Sequence, residues 1–465
     1  MKFYITTPIY YVNDLPHIGH AYTTISCDII TRYNKIIGKD VFFLTGTDEH
    51  GQKVEKAANL VNKKTNEFVD EMSENFKNLI PFLGCNIDDF IRTTEQRHIK
   101  AAQFLWNKLK ENNQINLSNY EGWYSVRDEA FYSESELTKT DNKFFAPTGA
   151  PVEWVKEESY FFKLSKWENK LIEYYESNLD SIMPKSKYNE VISFIKSGLK
   201  DLSISRTTFN WGVPVPDNSS HVMYVWIDAL CNYLTAIGYP DTENEKFKEF
   251  WPGVHIVGKD ILRFHAVYWP AFLMAADLEP PKKIFAHGWW TNEGQKISKS
   301  IGNVIDPKKI INEFGLDQIR YFLFREVPFG NDGDFSKKAI SQRINSDLSN
   351  NFGNLVQRIS SFIVKNCNSQ LKSNTNFNSE DNELINFYKD KLKNYIIHMD
   401  NFNIDRAIKD VFEVLSESNS YVDTQAPWNL KKNNIERMNI VLFLVSNIIF
   451  KIGYEIIFLK YKNKL

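Results

Sequence analysis

The apolar pattern divides the chain into three regimes. Phe3 to Thr7 is a short β-rich run, and beyond the Pro8 loop Ile18, Tyr22, Ile25, Ile29, Tyr33 and Ile36 recur at steps of three and four. That spacing marks one face of a helix, with Gly38 where its C-terminal stop belongs. Val41-Phe42-Phe43-Leu44 then reads as a second buried strand, ending in Thr45-Gly46-Thr47-Asp48. Strand, helix and strand predict a βαβ unit with a parallel sheet, and a doubly wound α/β fold is the first expectation.

From about Leu117 to Asp201 the alternation breaks: Trp123, Tyr124, a charged turn-rich stretch from Ser133 to Asn142 and Pro147-Thr148-Gly149-Ala150-Pro151 read as an insertion. Alternation resumes over His221 to Leu234, Val254 to Val257 before Gly258, and Lys283 to His287 before Gly288, so a sheet split by an insertion fits best. Beyond Phe335 the third regime is helical: Asn351 to Val364, Leu384 to Met399, Ile404 to Leu415 and Ile435 to Leu459 predict a closing bundle, with Asn366 to Asn382 as a surface loop.

At 465 residues the chain exceeds one core and suggests about three domains of roughly 150 residues each. A net charge of -2 gives no global field toward nucleic acid or membrane, so any polyanion must meet a local patch. The most apolar stretch, Met438 to Tyr461, is interrupted by Asn439, Ser446, Asn447, Lys451 and Glu455, too many polar groups for a lipid-spanning helix. Cys27, Cys85, Cys231 and Cys367 have neither CxxC nor CxxH spacing; reduced thiols in the cytoplasm are expected.

Two short elements carry chemistry. His17-Ile18-Gly19-His20 stands where the first strand gives way to the first helix; backbone N–H groups at a helix start suit phosphate, and Gly19 lets a flat base lie against the backbone. A bare HxGH fits a helix start with two solvated histidines better than a phosphate site. Lys296-Ile297-Ser298-Lys299-Ser300 lies in the loop Thr291 to Gly302, where two lysines suit a triphosphate whose charge redistributes; alone it reads as a solvated loop. Together, in this order on the two halves of a split sheet, they point to a shared nucleotide site.

The pair resembles the signature of the class I aminoacyl-tRNA synthetases. Within that class Pro8-Ile9-Tyr10-Tyr11-Val12-Asn13, Thr47-Asp48-Glu49-His50-Gly51, Tyr224-Val225-Trp226-Ile227-Asp228-Ala229-Leu230, Gly258-Lys259-Asp260-Ile261 and Phe264-His265 resemble the methionyl-tRNA synthetase family, from Phe3 to the Trp428 region. The resemblance implies a ligase that joins L-methionine to AMP using ATP with Mg2+, then transfers the methionyl group to the 3' end of initiator and elongator tRNA(Met). It implies His17, Gly19, His20, Gly258, Asp260, Lys296 and Lys299 at ATP, with His17, His20, Lys296 and Lys299 carrying catalysis. It implies Ile9, Tyr11, Trp226, Ala229, Tyr233, Ile261, His265 and Trp269 around the methionine side chain and Asp48 on its ammonium. Aromatic walls and a polar group near sulfur suit an unbranched thioether, although Trp226 and Trp269 also fit as plain core.

The resemblance also implies domains 1–116 (first half of the Rossmann-like sheet), 117–201 (inserted connective domain), 202–285 (second half), 286–335 (KISKS loop and stem contact) and 336–465 (all-α anticodon-binding bundle). Asn354 and Arg358, one turn apart, and Trp428 after Pro427 are the expected anticodon readers, by edge hydrogen bonds and stacking. Two departures matter: many relatives bind zinc through cysteine pairs in the insertion, but Tyr120 to Trp167 holds no cysteine, so no zinc is expected. The chain stops at Leu465 with none of the appended domain that dimerises some relatives, so a monomer is expected. Ile297 in place of the commoner Met conserves volume. Synthetases for Leu, Ile or Val resemble longer chains with an editing insertion; a silent tRNA-binding paralogue would have lost parts of these motifs, and a small-molecule nucleotidyltransferase would not need the helical region.

Overall fold

The computed structural model describes residues 1–125, 130–132, 134–140, 143–297, 302–371, 373 and 375–455. Its chain divides into two compact units, Met1–Pro16 with Ile37–Ala286, and His17–Ile36 with His287–Leu465.

The first unit is built on a seven-stranded sheet in the order Ile182–Met183, Lys283–His287, Val254–Gly258, Lys2–Thr6, Asp40–Asp48, with Tyr10–Tyr11 and Asp89–Arg92 also pairing with Asp40–Asp48. Lys2–Thr6 runs parallel to both neighbours, Val254–Gly258 and Asp40–Asp48. The strand Asp40–Asp48 is buried at every position after Asp40, the continuous apolar signature of a strand covered on both faces. Helices Thr65–Phe82 and Gln96–Glu111 bury apolar faces in this unit, and Trp106 and Trp269 lie fully inside its core.

The insertion is antiparallel. Ile115–Ser125 and Glu153–Phe162 pair from Ile115↔Phe162 to Tyr124↔Glu153, with Ala130–Tyr132 and Leu202–Ser203 added at the sides. Ile182–Met183, which the sequence pattern places inside the insertion, is instead an edge strand of the parallel sheet, pairing with Lys283–His287. Two residues are too few to show a strand period. His221 to Leu234 supplies no strand to that sheet either: Val222–Met223 pairs with Ser205–Arg206, and the chain then enters the short helices Val225–Leu230 and Asn232–Thr235.

The second unit gathers helix Ile18–Ile36 with the C-terminal third of the chain. Its apolar face meets partners remote in sequence: Tyr22 packs edge-on to His287 and Trp290 and stacks on Phe324 at 5.0 Å. Asp28 accepts from Arg320 at 2.5 Å and Arg32 at 2.8 Å, and Tyr33 donates to Asp400 at 2.9 Å. The bundle comprises Asn354–Asn366, Ser379–Asp400, Ile404–Gln425, Pro427–Asn433 and Ile435–Glu455. Ser379–Asp400 opens with a capping box in which Asn378 and Asp381 satisfy each other's backbone N–H. Among the described residues no helix is long and apolar enough to cross a membrane.

Candidate active site

Within the second unit, the HxGH helix start and the base of the KISKS loop come together. Ile18 N donates to Ile305 O at 3.0 Å, and Thr23 Oγ1 meets His287 Nε2 at 2.8 Å. The loop leaves a tight hairpin in which Thr291 pairs with Lys296 and Asn292 with Gln295. Its two turn residues, Glu293 (φ 49°) and Gly294 (φ 77°), both take the left-handed conformation that a type I′ turn requires. Asp334 fastens the turn, accepting from Gly294 N at 2.7 Å and Thr291 Oγ1 at 2.6 Å. Asn292 reaches across to Asn303 O at 2.8 Å, closing the base of the loop. Lys296 ends the hairpin strand, and Lys299 lies outside the described residues.

The helix start differs from the sequence expectation. Its amides are committed: His17 N donates to His20 Nδ1 and Gly19 N to His17 Nδ1, each at 3.1 Å, while His20 N and Ala21 N both donate to His17 O. The backbone amides read from the motif are therefore taken up, two by the imidazoles and the others by carbonyl oxygens. Each ring accepts at Nδ1, so the neutral ring carries its proton on Nε2. The rings stack at 3.9 Å, and burial together with neighbouring His17 holds the His20 pKa well below the usual imidazole value. Gly19 is needed because a Cβ there would meet His17 Cε1 at 2.9 Å.

In the first unit the sheet order reverses at Lys2–Thr6, the first strand of the chain, which has Asp40–Asp48 on one side and Val254–Gly258 on the other; open α/β sheets bind ligands at such a point, beyond the carboxyl ends of the strands. Ile9 follows one of these ends; Gly258, Asp260 and Ile261 follow the other, with Asp260 exposed. Asp48, buried, ends Asp40–Asp48 in register with Tyr11.

Of the expected thioether residues, Tyr233 and Trp269 belong to one core cluster against which Ile9, Trp226 and Ile261 pack, whereas Tyr11 packs in a separate cluster with Tyr10 and Val12. Tyr233, His265 and Trp269 are at most 2% exposed, and Ala229 is buried. Tyr233 Oη lies 2.7 Å from His265 Nε2, and His265 Nδ1 lies 2.9 Å from Ile261 O. The carbonyl can only accept, so Nδ1 carries the proton and Nε2 receives the Tyr233 hydroxyl. Burial lowers the His265 pKa to about 4, which keeps the ring neutral and this tautomer in place at pH 7. His255 stacks on Tyr233 at 4.0 Å and is held by Thr6 Oγ1 at 2.9 Å; Trp226 stacks on Phe264 at 3.6 Å and 13°. His255 was invisible to sequence reasoning because a histidine inside an apolar strand carries no spacing signal. Phe264 stood in a quoted motif with no role assigned.

In the bundle, Arg358 lies 5.8 Å from the Trp428 ring centroid and donates to Asp423 at 2.8 Å. Asn354 is exposed at the first position of the same helix as Arg358, and Trp428, 43% exposed, stands at the second position of Pro427–Asn433.

A parallel sheet split by an insertion, with an HxGH helix start and a KISKS loop, defines a class I aminoacyl-tRNA synthetase. Residues 3–360 match the family "tRNA synthetases class I (M)", and residues 372–453 match the "Anticodon binding domain of methionyl tRNA ligase". A methionine–tRNA ligase of Rickettsia conorii is 56% identical over 96% of this chain and 88% of its own, and one from Brucella melitensis is 49% identical over 97% and 88%. The solved Mycobacterium tuberculosis methionyl-tRNA synthetase in complex with methionyl-adenylate superposes with a TM-score of 0.95 at 45% identity, covering 98% of this chain and 91% of that one. The chain belongs to the methionine–tRNA ligase family.

Proposed function

We propose that the protein activates L-methionine with ATP to methionyl-adenylate and pyrophosphate, and then transfers the methionyl group to the 3' end of tRNA(Met), initiator and elongator alike. The observation that carries this reading is the Ile18–Ile305 tie, which joins the HxGH helix start to the far base of the KISKS loop. The relatives, which match both the catalytic and the helical regions, support methionine as the amino acid.

The methionine carboxylate is the nucleophile at the α-phosphate, so the protein supplies no nucleophile of its own. Its work is positioning and preorganised positive charge. His17 and His20 present Nε2–H donors to the phosphates; Lys296 and Lys299 meet the charge that passes to pyrophosphate. Gly19 and Gly258 border the nucleotide and Asp260 binds ribose. Asp48 holds the ammonium. Tyr11, Trp226, Trp269, Ile9, Ala229 and Ile261 wall the side chain, and Tyr233 faces the thioether with its hydroxyl fixed by His265. Asn354, Arg358 and Trp428 read the anticodon.

Among the described residues no group of three or more His, Cys, Asp or Glu converges to hold a metal. Mg2+ would be carried on the triphosphate, where it neutralises phosphate charge. No zinc, a monomeric state and a cytoplasmic location belong to the same proposal.

The test is pyrophosphate exchange into ATP with each amino acid in turn. Methionine-dependent exchange, with essentially none for leucine, isoleucine or valine, is expected. Equal or better exchange with a branched amino acid refutes the reading.

A further inference from the structure

Two residues beyond Asp48, His50 Nδ1 lies 2.6 Å from Asp228 Oδ2. The other carboxylate oxygen, Oδ1, lies 2.7 Å from Nε2 of His98 on helix Gln96–Glu111. Asp228 and His98 are 0% exposed and His50 is 5% exposed. Burial alone would push the Asp228 carboxyl up, yet the two imidazoles hold it at about 2, so an ionised carboxylate accepts from both rings deep in the core. A buried carboxylate is a costly way to fill space, and apolar residues of similar volume often serve stability as well or better. Its use must be sought in what it ties together.

One end of this bridge is the loop after Asp40–Asp48. Glu49 is locked there by Arg92 (2.7 and 3.0 Å), Thr47 (2.7 Å) and Thr94 (2.5 Å), while Trp211 Nε1 donates to its carbonyl at 2.6 Å. The other end is the short helix Val225–Leu230, where Asp228 stands between Trp226 and Ala229. The proposed function above puts the methionine ammonium on the first element and its side chain against the second. Resting on that reading, we infer that His50, Asp228 and His98 are positioning residues that fix the distance between the ammonium-binding Asp48 and the side-chain walls Trp226 and Ala229. Amino-acid recognition is then a property of two elements held in register by one carboxylate, with His98 as its rear anchor.

The test uses the full chain and methionine-dependent pyrophosphate exchange. His98→Leu removes the rear donor without touching any residue assigned to a substrate. It should raise the methionine KM about ten-fold while leaving the ATP KM within about two-fold, and His98→Gln, whose amide N–H replaces Nε2–H, should restore the methionine KM to within about three-fold of wild type. A folded His98→Leu with unchanged methionine KM, an ATP KM that rises equally, or no rescue by His98→Gln overturns the positioning role. Should His98→Leu fail to fold by circular dichroism, Asp228→Asn, which keeps the volume but accepts from only one ring, is read by the same KM criteria. Wild-type protein without methionine-dependent exchange would instead overturn the reading of the site, independently of the bridge.

Discussion

Acidification from pH 7 to pH 5 should destabilise the sheet-containing unit through His265. At 2% exposure, burial disfavours the charged imidazolium and lowers the pKa of its ring to about 4, so the ring is neutral and can accept from the Tyr233 hydroxyl. In the unfolded chain an imidazole titrates near 6.5. Between the two values the unfolded state binds a proton that the folded state does not, so stability is full above about pH 6.5 and falls as pH drops toward the folded value. Over pH 7 to 5 the linkage amounts to about 2 kcal/mol from this residue alone. His255 and His20 are also depressed by burial and act in the same direction, whereas Asp228, held at about 2, contributes only at lower pH, below the ordinary carboxylate range. Urea unfolding followed by tryptophan fluorescence at pH 7, 6 and 5 measures the effect in wild type and in His265→Gln, which cannot titrate. The variant should lose about 2 kcal/mol less than wild type across that span. Identical losses would show that His265 carries no depressed pKa and that the neutral Tyr233–His265 pair does not exist as described.

Lys299→Ala should slow single-turnover adenylate formation while leaving methionine affinity nearly intact, because the role proposed for the loop lysine is toward charge that develops in the transition state; lost methionine binding with unchanged chemistry would contradict this. Trp428→Ala removes a stacking plate worth about 1 to 3 kcal/mol per base, so tRNA charging should fall roughly ten-fold or more while exchange without tRNA stays near wild type. A parallel fall of both activities in folded protein would assign Trp428 to the fold. Arg320→Met leaves the Asp28 carboxylate with Arg32 as its remaining guanidinium partner and should cost about 3 kcal/mol of stability in urea unfolding; a change below about 0.5 kcal/mol would refute the buried pairing. Metal analysis of purified protein should find no stoichiometric zinc, and one tightly held zinc per chain would overturn that expectation.

The helical C-terminal region was legible from long runs with one period, and the βαβ start and split sheet from continuous apolar strands bounded by turn residues. Asp40–Asp48 is continuously buried and Ile18–Ile36 has an apolar stripe, so pattern and structure coincide there. Ile182–Met183 was not legible, since two residues define no period. An apolar stripe also says that a face is covered without saying by what. Hence the partners of Tyr22 and Tyr33, reached only after the chain has built the sheet, could not be read. The candidate site was legible through its short motifs, whereas its supports were not: His98 and Arg320 sit in helical patterns where a lone charged or polar residue reads as solvated. The stacking of His17 on His20, and with it the filling of the helix-start amides, depends on side-chain rotamers that no spacing encodes.

Helix Ile18–Ile36 is made early and completed late. Asp28 is separated from Arg320 by 292 residues, and Tyr33 from Asp400 by 367. At a synthesis rate of about 5 to 20 residues per second, the helix waits roughly 15 to 60 s on the ribosome before Arg320 has been polymerised, and longer for Asp400. For most of that interval, until His287 and Trp290 are polymerised, Tyr22 has none of the rings that cover it in the finished protein, and Phe324 and Phe329 follow only after Arg320. The segment that starts with His17 and His20 therefore carries an apolar stripe that stays uncovered on the nascent chain while most of the protein is being made.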